Sequence, residues 1–382
     1  MAKPRHSKPK LSVRKKSTRP ALPHSFGFLV HPMNVEDVAK KYKIATKVSP
    51  KVVAGVVKRR RPFVISNITG VRSATGVRAP GCFGVVPLLP HQFSELEEEF
   101  VIDKIVKAVK VCAKSGARIV GLGAFTAVVG QGGRRVAERA PVPVTTGNTY
   151  TVAMALEAVV KAAEMMEIDL GSATVGVVGA TGSIGSLCAK VLAPNAGRML
   201  LLGRDAGRLA RLQAQIAETS GSEVEVGTDI RAGVAMSQLI LSVTGASGAV
   251  IHPEDIAPGA VVCDVARPRD VSERVASARD DVLVIDGGIV EVPGKLGYQM
   301  DLGLPAGTAL ACMAETMILA LEGRYESYTI GKDISVGRLR EMEEMGRSHG
   351  FRLAGLRSFE RALTEERIQK IKRSAQEKMA LL

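Results

Sequence analysis

Residues 173–190 read ATVGVVGATGSIGSLCAK, and the fold turns on this stretch. Val175 to Val178 form a short apolar run suited to a buried strand. The run ends on Gly179-Ala180-Thr181-Gly182-Ser183-Ile184-Gly185, after which Leu187, Ala189, Val191 and Leu192 follow a helical pattern. Strand, glycine turn and helix stand in the order that a dinucleotide site needs. The first glycine permits the tight turn, the second lets backbone approach a pyrophosphate, and the third lets helix pack on strand. The phosphates then sit on N–H groups at the helix N-terminus. GxxGxxG by itself also describes an ordinary turn, so its surroundings matter. RMLLLG (198–203) reads as the next strand, and Gly203-Arg204 lies at its end, about twenty residues past the loop. An acidic residue there would bind the ribose 2′-hydroxyl of NAD. Arg204, with Arg208 one turn later, suits a 2′-phosphate, so the expected cofactor is NADPH. The competing reading makes Arg204 a solvated loop charge.

Outward from the loop, TVGVV, RMLLL, SEVEVG, QLILSV, AVVCDVA and VLVIDGG alternate with helical or loop segments up to about Val292. This alternation predicts a Rossmann-like, mostly parallel sheet with helices on both faces over residues 151–292. DVARPRD (264–270) and DGGIVEVPG (286–294) fall at strand C-ends, where ligand crevices of open α/β sheets lie.

Upstream, residues 25–150 predict an α/β substrate-binding domain. FGFLVHP is a strand, Asn34 and Asp37 cap a helix reaching Tyr42, and 63–90 alternate β-branched residues with Gly and Pro as in hairpins. A helix over 94–114, a strand ARIVGLG, a short strand in PVPVTTGNTY and a helix over 150–167 complete it. Downstream, 293–382 read as a helical part. Its best-marked helix, 305–323, is opened by Pro305, Gly307 and Thr308 and closed by Gly323. Two charged amphipathic helices, 335–349 and 356–380, follow. The fold class expected is therefore α/β, with three parts behind a basic tail.

That tail, residues 1–24, holds eight Lys or Arg, no acid and almost nothing to bury, which predicts disorder. The whole chain of 382 residues carries a net charge of +14, which suits acidic partners. Five Tyr, nine Phe and no Trp leave little for base stacking and disfavour nucleic acid. No apolar run is long enough to span a bilayer and no signal-peptide core opens the chain, so the cytoplasm is the expected location. Histidines and cysteines form no metal-binding spacing.

The five cysteines are scattered, as expected of thiols rather than disulfides. Cys188, in the helix behind the glycine loop, and Cys263, in a strand, read as core thiols, and Cys112 as structural. Cys82 reads as lying in a Gly/Pro loop and is ambiguous. Cys312 falls in the first turns of the 305–323 helix, where the helix dipole favours a nucleophilic thiolate.

GLGAFTAVV, VTTGNTYTVAMALEAVVKAAEMMEIDLGSATVGVVGATGSIGS, DGGIVE and ACMAETMILALEG resemble blocks of the long-chain acyl carrier protein reductase family. They occur in the same order and at similar spacing between about Phe26 and Gly350. The resemblance implies NADPH-dependent reduction of an acyl thioester, on acyl carrier protein or coenzyme A, to a fatty aldehyde. It places the acyl-accepting nucleophile at Cys312, with Cys82, in a matching Cys-Phe context, as runner-up. An aldehyde-consuming enzyme is a further partner it implies, and self-association stays open. Thr146 and Asn148 of the TTGNT turn are candidates for oxyanion stabilisation, against the alternative of a turn closed by its own side chains. The DVARPRD segment is closer to glutamyl-tRNA reductase, and the basic leader and the extension after Gly350 depart from the family pattern. Two other readings remain: a shikimate- or amino-acid-type dehydrogenase that transfers hydride without a covalent intermediate, and a non-enzymatic NADP-binding protein.

Overall fold

The computed structural model describes residues 23–41, 43–246, 248–266, 268–332 and 334–381. The basic tail up to residue 22, and Tyr42 at the expected end of the first helix, lie outside the described residues. Pro23 and His24, the last residues of that expected tail, are already fastened to the body. The Pro23 carbonyl accepts from Arg118 Nη1 (2.9 Å) and from the Tyr325 hydroxyl (2.7 Å), and His24 Nδ1 lies 2.9 Å from the Ala320 carbonyl.

Among the described residues, five strands lie ahead of helix Asn148–Met165: β1 (Phe26–Val30), β2 (Phe63–Val71), β3 (Gly81–Val85), β4 (Ile119–Leu122) and β5 (Val144–Thr145). The next six are β6 (Thr174–Val178), β7 (Arg198–Leu202), β8 (Glu223–Gly227), β9 (Leu239–Ser242), β10 (Val261–Asp264) and β11 (Leu283–Asp286). Short strands follow: β12 (Ile289–Glu291), β13 (Gly294–Gly297), β14 (Thr308–Leu310), β15 (Arg352–Leu353), β16 (Arg357–Ser358) and β17 (Arg361–Ala362).

The second sheet has the order β11-β10-β9-β6-β7-β8 with every pairing parallel. This is the doubly wound Rossmann order, whose direction reverses between β6 and β9. Its four central strands are buried on both faces, which explains why VGVV and LILS read as continuous apolar runs rather than alternating ones. The first sheet has the order β13-β2-β3-β1-β4-β5. β1, β3, β4 and β5 run parallel, whereas β2 is antiparallel to β3, in the hairpin manner expected of 63–90. β13 returns from beyond the Rossmann sheet to pair antiparallel with β2.

Helix Asn148–Met165 joins the two sheets. It is apolar nearly all round, and it packs on helix Ser183–Leu192 and on β10 and β11, as well as on helices Ala311–Glu322 and Val336–His349.

Three local expectations need correcting. The helix expected over 305–323 begins only at Ala311, because residues 308–310 pair with β12 as β14. Its end at Gly323 is as expected, with that glycine left-handed at φ 69°. The helix expected over 356–380 is a β16–β17 hairpin followed by helix Glu365–Met379, whose cap Thr364 accepts from Arg367 N at 3.2 Å. Cys82 lies within β3, not in a loop.

Candidate active site

Cys312 is the second residue of helix Ala311–Glu322 and is half-buried. β14 delivers it there: Ala311 N donates to the Gly288 carbonyl at 2.7 Å, just past the end of β11. Leu310 occupies the cap position without a side-chain hydrogen bond, so the positive end of the helix dipole acts on the first turn. A thiolate is favoured in such a place.

The TTGNT turn closes on this cysteine. Gly147 has φ 76°, and a Cβ built on it would lie 2.3 Å from Cys312 Cα and 2.4 Å from Cys312 Cβ. The backbone conformation and the close approach both require glycine here. Asn148 starts the next helix, and its Nδ2 donates to Ser183 Oγ at 3.0 Å, in the glycine loop. One turn therefore touches Cys312 on one side and the glycine loop on the other. Thr146 donates through both its N–H and its hydroxyl to the Thr329 carbonyl, at 3.0 and 2.9 Å. Its hydroxyl proton thus closes the turn, while the Asn148 amide is bonded at the glycine loop.

Beneath the turn lies Glu315, one helical turn from Cys312 and 0% exposed. Its carboxylate accepts from the Thr145 hydroxyl, from the Thr329 hydroxyl (2.8 Å) and from Tyr150 N (3.0 Å). Burial pushes its pKa up; hydrogen bonds from Thr145, Tyr150, Thr329 and the Gly147 backbone oppose that shift only in part. The Thr149 hydroxyl, 2.7 Å from that of Thr329, extends the network. Sequence reasoning missed Glu315. The available signal was its isolation: it is the one charged residue between Pro305 and Leu321. A charge there requires buried partners.

The glycine loop fits a dinucleotide's phosphates. Gly179 is left-handed at φ 82°, and a Cβ on it would meet the Val243 carbonyl at 2.6 Å. A Cβ on Gly185 would lie 2.4 Å from the Gly179 carbonyl, so the helix presses on the strand end as the third glycine allows. Gly182 caps helix Ser183–Leu192 in extended conformation with no side chain over the helix end, and Ala180, Thr181 and Ile184 complete the loop. Arg204 is exposed just past β7 and, among the described residues, has no carboxylate within ion-pair distance. The neighbouring Asp205 is engaged elsewhere: it caps helix Ala206–Ala217 through Arg208 N (3.0 Å) and pairs with Arg208 Nε (3.2 Å). Arg204 and Arg208 are thus not equivalent.

Across the crevice, the DVARPRD segment supplies two buried aspartates that act on backbone. Asp270 accepts from Ser242 Oγ (2.8 Å), Thr244 N (2.6 Å) and the Thr244 hydroxyl, which fixes the loop after β9. Asp264 accepts from Ala266 N, Asp270 N and Val271 N. At the end of β11, Asp286 pairs with Arg269 and accepts from Glu360 N (2.6 Å), so the β16–β17 hairpin is pinned to the strand end.

The other cysteines lie apart from this turn. Cys82 is 4% exposed, in a core cluster with Cys112, Leu29 and Val109 that is separate from the one Cys312 packs against. A hydrogen bond with Cys112 lowers the Cys82 pKa and raises that of Cys112. Burial pushes Cys188 up to about 12, and Cys263 is buried in β10. None of the five forms a disulfide. Among the described residues, no group of three or more His, Cys, Asp or Glu is placed to hold a metal ion, and no helix is long and apolar enough to cross a membrane.

Comparison with known proteins agrees with this architecture. Residues 161–286 match the shikimate / quinate 5-dehydrogenase family model. The chain is 32% identical over 359 residues to aminotransferase PigE of a Serratia species, covering 91% of this chain but only 42% of that protein. It is 28% identical over 305 residues to the long-chain acyl-[acyl-carrier-protein] reductase of Synechococcus elongatus, covering 76% of this chain and 87% of that enzyme. Over 141 residues it is 33% identical to the glutamyl-tRNA reductase of Frankia casuarinae, covering 35% of this chain and 26% of that one.

Proposed function

We propose that the protein is a nicotinamide-dependent reductase that takes an acyl group from a thioester onto Cys312 and releases it as an aldehyde, with NADPH as the cofactor. The observation that carries this reading is the TTGNT turn, in contact with Cys312 through Gly147 and with the glycine loop through Asn148. A nucleophile and a dinucleotide loop joined by one rigid turn suit a reaction in which a covalently held carbon must lie beside a bound cofactor. The likeness to the acyl carrier protein reductase supports the same chemistry. PigE is named for amination, but this chain spans less than half of it, so that name does not describe the matched part alone.

The steps assigned to the protein are these. The Cys312 thiolate attacks the thioester carbonyl, and the carrier's sulfur leaves as a thiol once protonated. The carbonyl oxygen gathers negative charge in the tetrahedral species, and the candidate donors for it are the second N–H of the Asn148 amide, whose first goes to Ser183, and first-turn backbone N–H groups after Ala311, whose own goes to Gly288. Reduced nicotinamide, when bound, supplies the hydride that brings the acyl carbon to the aldehyde level. Cys312 then leaves as thiolate and is ready for a second acyl group. The acyl donor is a carrier-protein or coenzyme A thioester, and a basic chain of net charge +14 favours an acidic carrier.

Incubation with a panel of acyl thioesters, without nicotinamide, should add one acyl mass to the intact protein. No added mass with any donor removes the covalent mechanism and favours direct hydride transfer, as the shikimate / quinate dehydrogenase match would suggest. Cofactor choice rests on Arg204, because Asp205 and Arg208 satisfy each other. Arg204→Asp should lower the NADPH-over-NADH preference about tenfold or more, the scale of one charge-assisted phosphate contact. An unchanged ratio of kcat/KM for the two cofactors would show that the 2′-phosphate is bound elsewhere.

A further inference from the structure

From Val38 to Ser94 the chain carries eleven Lys or Arg and no Asp or Glu. Much of that charge gathers on one lobe around helix Pro50–Arg59. The helix turns Val53, Ala54 and Val57 inward, where Val53 and Val57 cluster with Ala45, Val35 and Val38. It is tied to the body by Gln92 Nε2, which donates to the Ala54 carbonyl at 3.2 Å, and by Lys104, which donates to the Lys58 carbonyl. Its other face is uncovered. Val52 is 52% exposed and Val56, one turn later on the helix, 51%; Val48, just before the helix, is 40% exposed. Lys43, Lys47, Lys51, Arg59, Arg60 and Arg61, all within the same stretch of chain, are exposed as well.

Lys104, which donates to the Lys58 carbonyl, also sits over the exposed Phe100, its Nζ 5.2 Å from the ring centre. Of the acids on the neighbouring helices, Asp37 pairs with Lys40, and Glu98, Glu99 and Asp103 pair with Arg135 and Arg139, while Glu36 is exposed on the same lobe. Burial, with Lys107 and Lys58 adding to it, lowers the pKa of the buried Lys104 to about 8.

We propose that this face docks on an anionic lipid surface. Exposed apolar residues among exposed cations are how an interfacial helix meets a headgroup layer, its apolar residues entering and its cations meeting the phosphates. A strong excess of one sign of charge reads negative potential without the mixed pattern a protein partner would match. Lysine is also depleted at protein–protein interfaces, whereas three exposed lysines lie in this stretch. The proposal does not depend on the reaction assigned to Cys312.

Co-sedimentation of the full chain with phosphatidylcholine vesicles, with and without phosphatidylserine, tests it. Binding is expected only with phosphatidylserine and should weaken as salt rises. Lys51→Gln with Arg59→Gln should cut partitioning about fivefold per lost cation. Val52→Ser with Val56→Ser should reduce it about tenfold or more while circular dichroism and melting stay unchanged, because both side chains are exposed. Three results would overturn the proposal: no binding to phosphatidylserine vesicles, binding indifferent to both double variants, or binding lost only when residues 1–22 are removed. Variants that bind vesicles normally but turn over a carrier-borne thioester more slowly, and a coenzyme A thioester at the normal rate, would instead assign the face to an acidic protein.

Discussion

Cys312→Ala is expected to leave a folded protein that binds NADPH with unchanged affinity, gains no acyl mass and forms no aldehyde. The loss of turnover should be on the order of 10⁴-fold or more, since removal of a nucleophile takes away the covalent route as a whole. Cofactor affinity should hold because the glycine loop and Arg204 keep their own supports, the β6 and β7 backbone and the helix end at Ser183. Intact mass, aldehyde detection and cofactor titration on one preparation separate the readings. A direct hydride dehydrogenase would keep its activity without the thiol, and a binding protein would show no turnover even before substitution. Cys188→Ala and Cys263→Ala should retain the reaction, both thiols being buried in the Rossmann core. Cys82→Ala should retain it as well, since Cys82 packs with Cys112 in a separate cluster. If acyl mass persists in Cys312→Ala and disappears in Cys82→Ala, the nucleophile is Cys82, and the geometry around Gly147 has another purpose.

The second large effect is expected at Glu315, a positioning residue that acts through the turn it holds. Its carboxylate offers only acceptors, and hydroxyls from Thr145 and Thr329 and the N–H of Tyr150 all point into it. Glu315→Gln puts an amide N–H₂ against some of those donors and releases the turn that presses Gly147 on Cys312. Hydrogen bonds to a charged group contribute about 1.5–3 kcal/mol each, so a measurable fall in melting temperature should accompany the change. The catalytic effect should exceed what that fall explains. A misplacement of about 1 Å costs about 100-fold in rate, which should appear in kcat with little change in the KM for NADPH. Acyl-mass uptake should slow in parallel. Protonation would remove the charge that strengthens these bonds and turn one acceptor oxygen into a donor, so that a threonine hydroxyl would have to reverse its own bond to receive it. Activity should therefore fall as pH drops through the Glu315 pKa, which burial raises above the ordinary carboxylate range. Glu315→Gln should lose that acidic limb along with most of its rate. A variant with kcat within twofold of the parent would show that the turn is held by its backbone alone.

Most of the Rossmann sheet was legible because its signals are local. TVGVV, RMLLL, LILS and VVCD are buried on both faces, so their residues are apolar throughout, and the glycine loop needs its residue types at fixed spacing. The start of the Cys312 helix was not legible in the same way. Pro305, Gly307 and Thr308 have the composition of a helix opening, yet β12 is available to pair with residues 308–310, and that pairing delays the helix to Ala311. The 357–362 hairpin was hidden for a related reason. Its charged residues suit a helix, and the contact that holds it, Asp286 to Glu360 N, comes from 74 positions away.

Legible in the sequence alone were the βαβ alternation, the glycine loop and the position of Arg204, each signalled by residues within about twenty positions of one another, whereas Cys312 was nominated through the family resemblance of blocks spread along the chain. Tertiary structure decided what surrounds the thiol. Gly147 meets Cys312 from 165 positions away in sequence, and Glu315 takes hydrogen bonds from residues 170 and 165 positions before it and 14 after it. A buried carboxylate is tolerated only where several donors converge on it, and that convergence is set by how the segments pack.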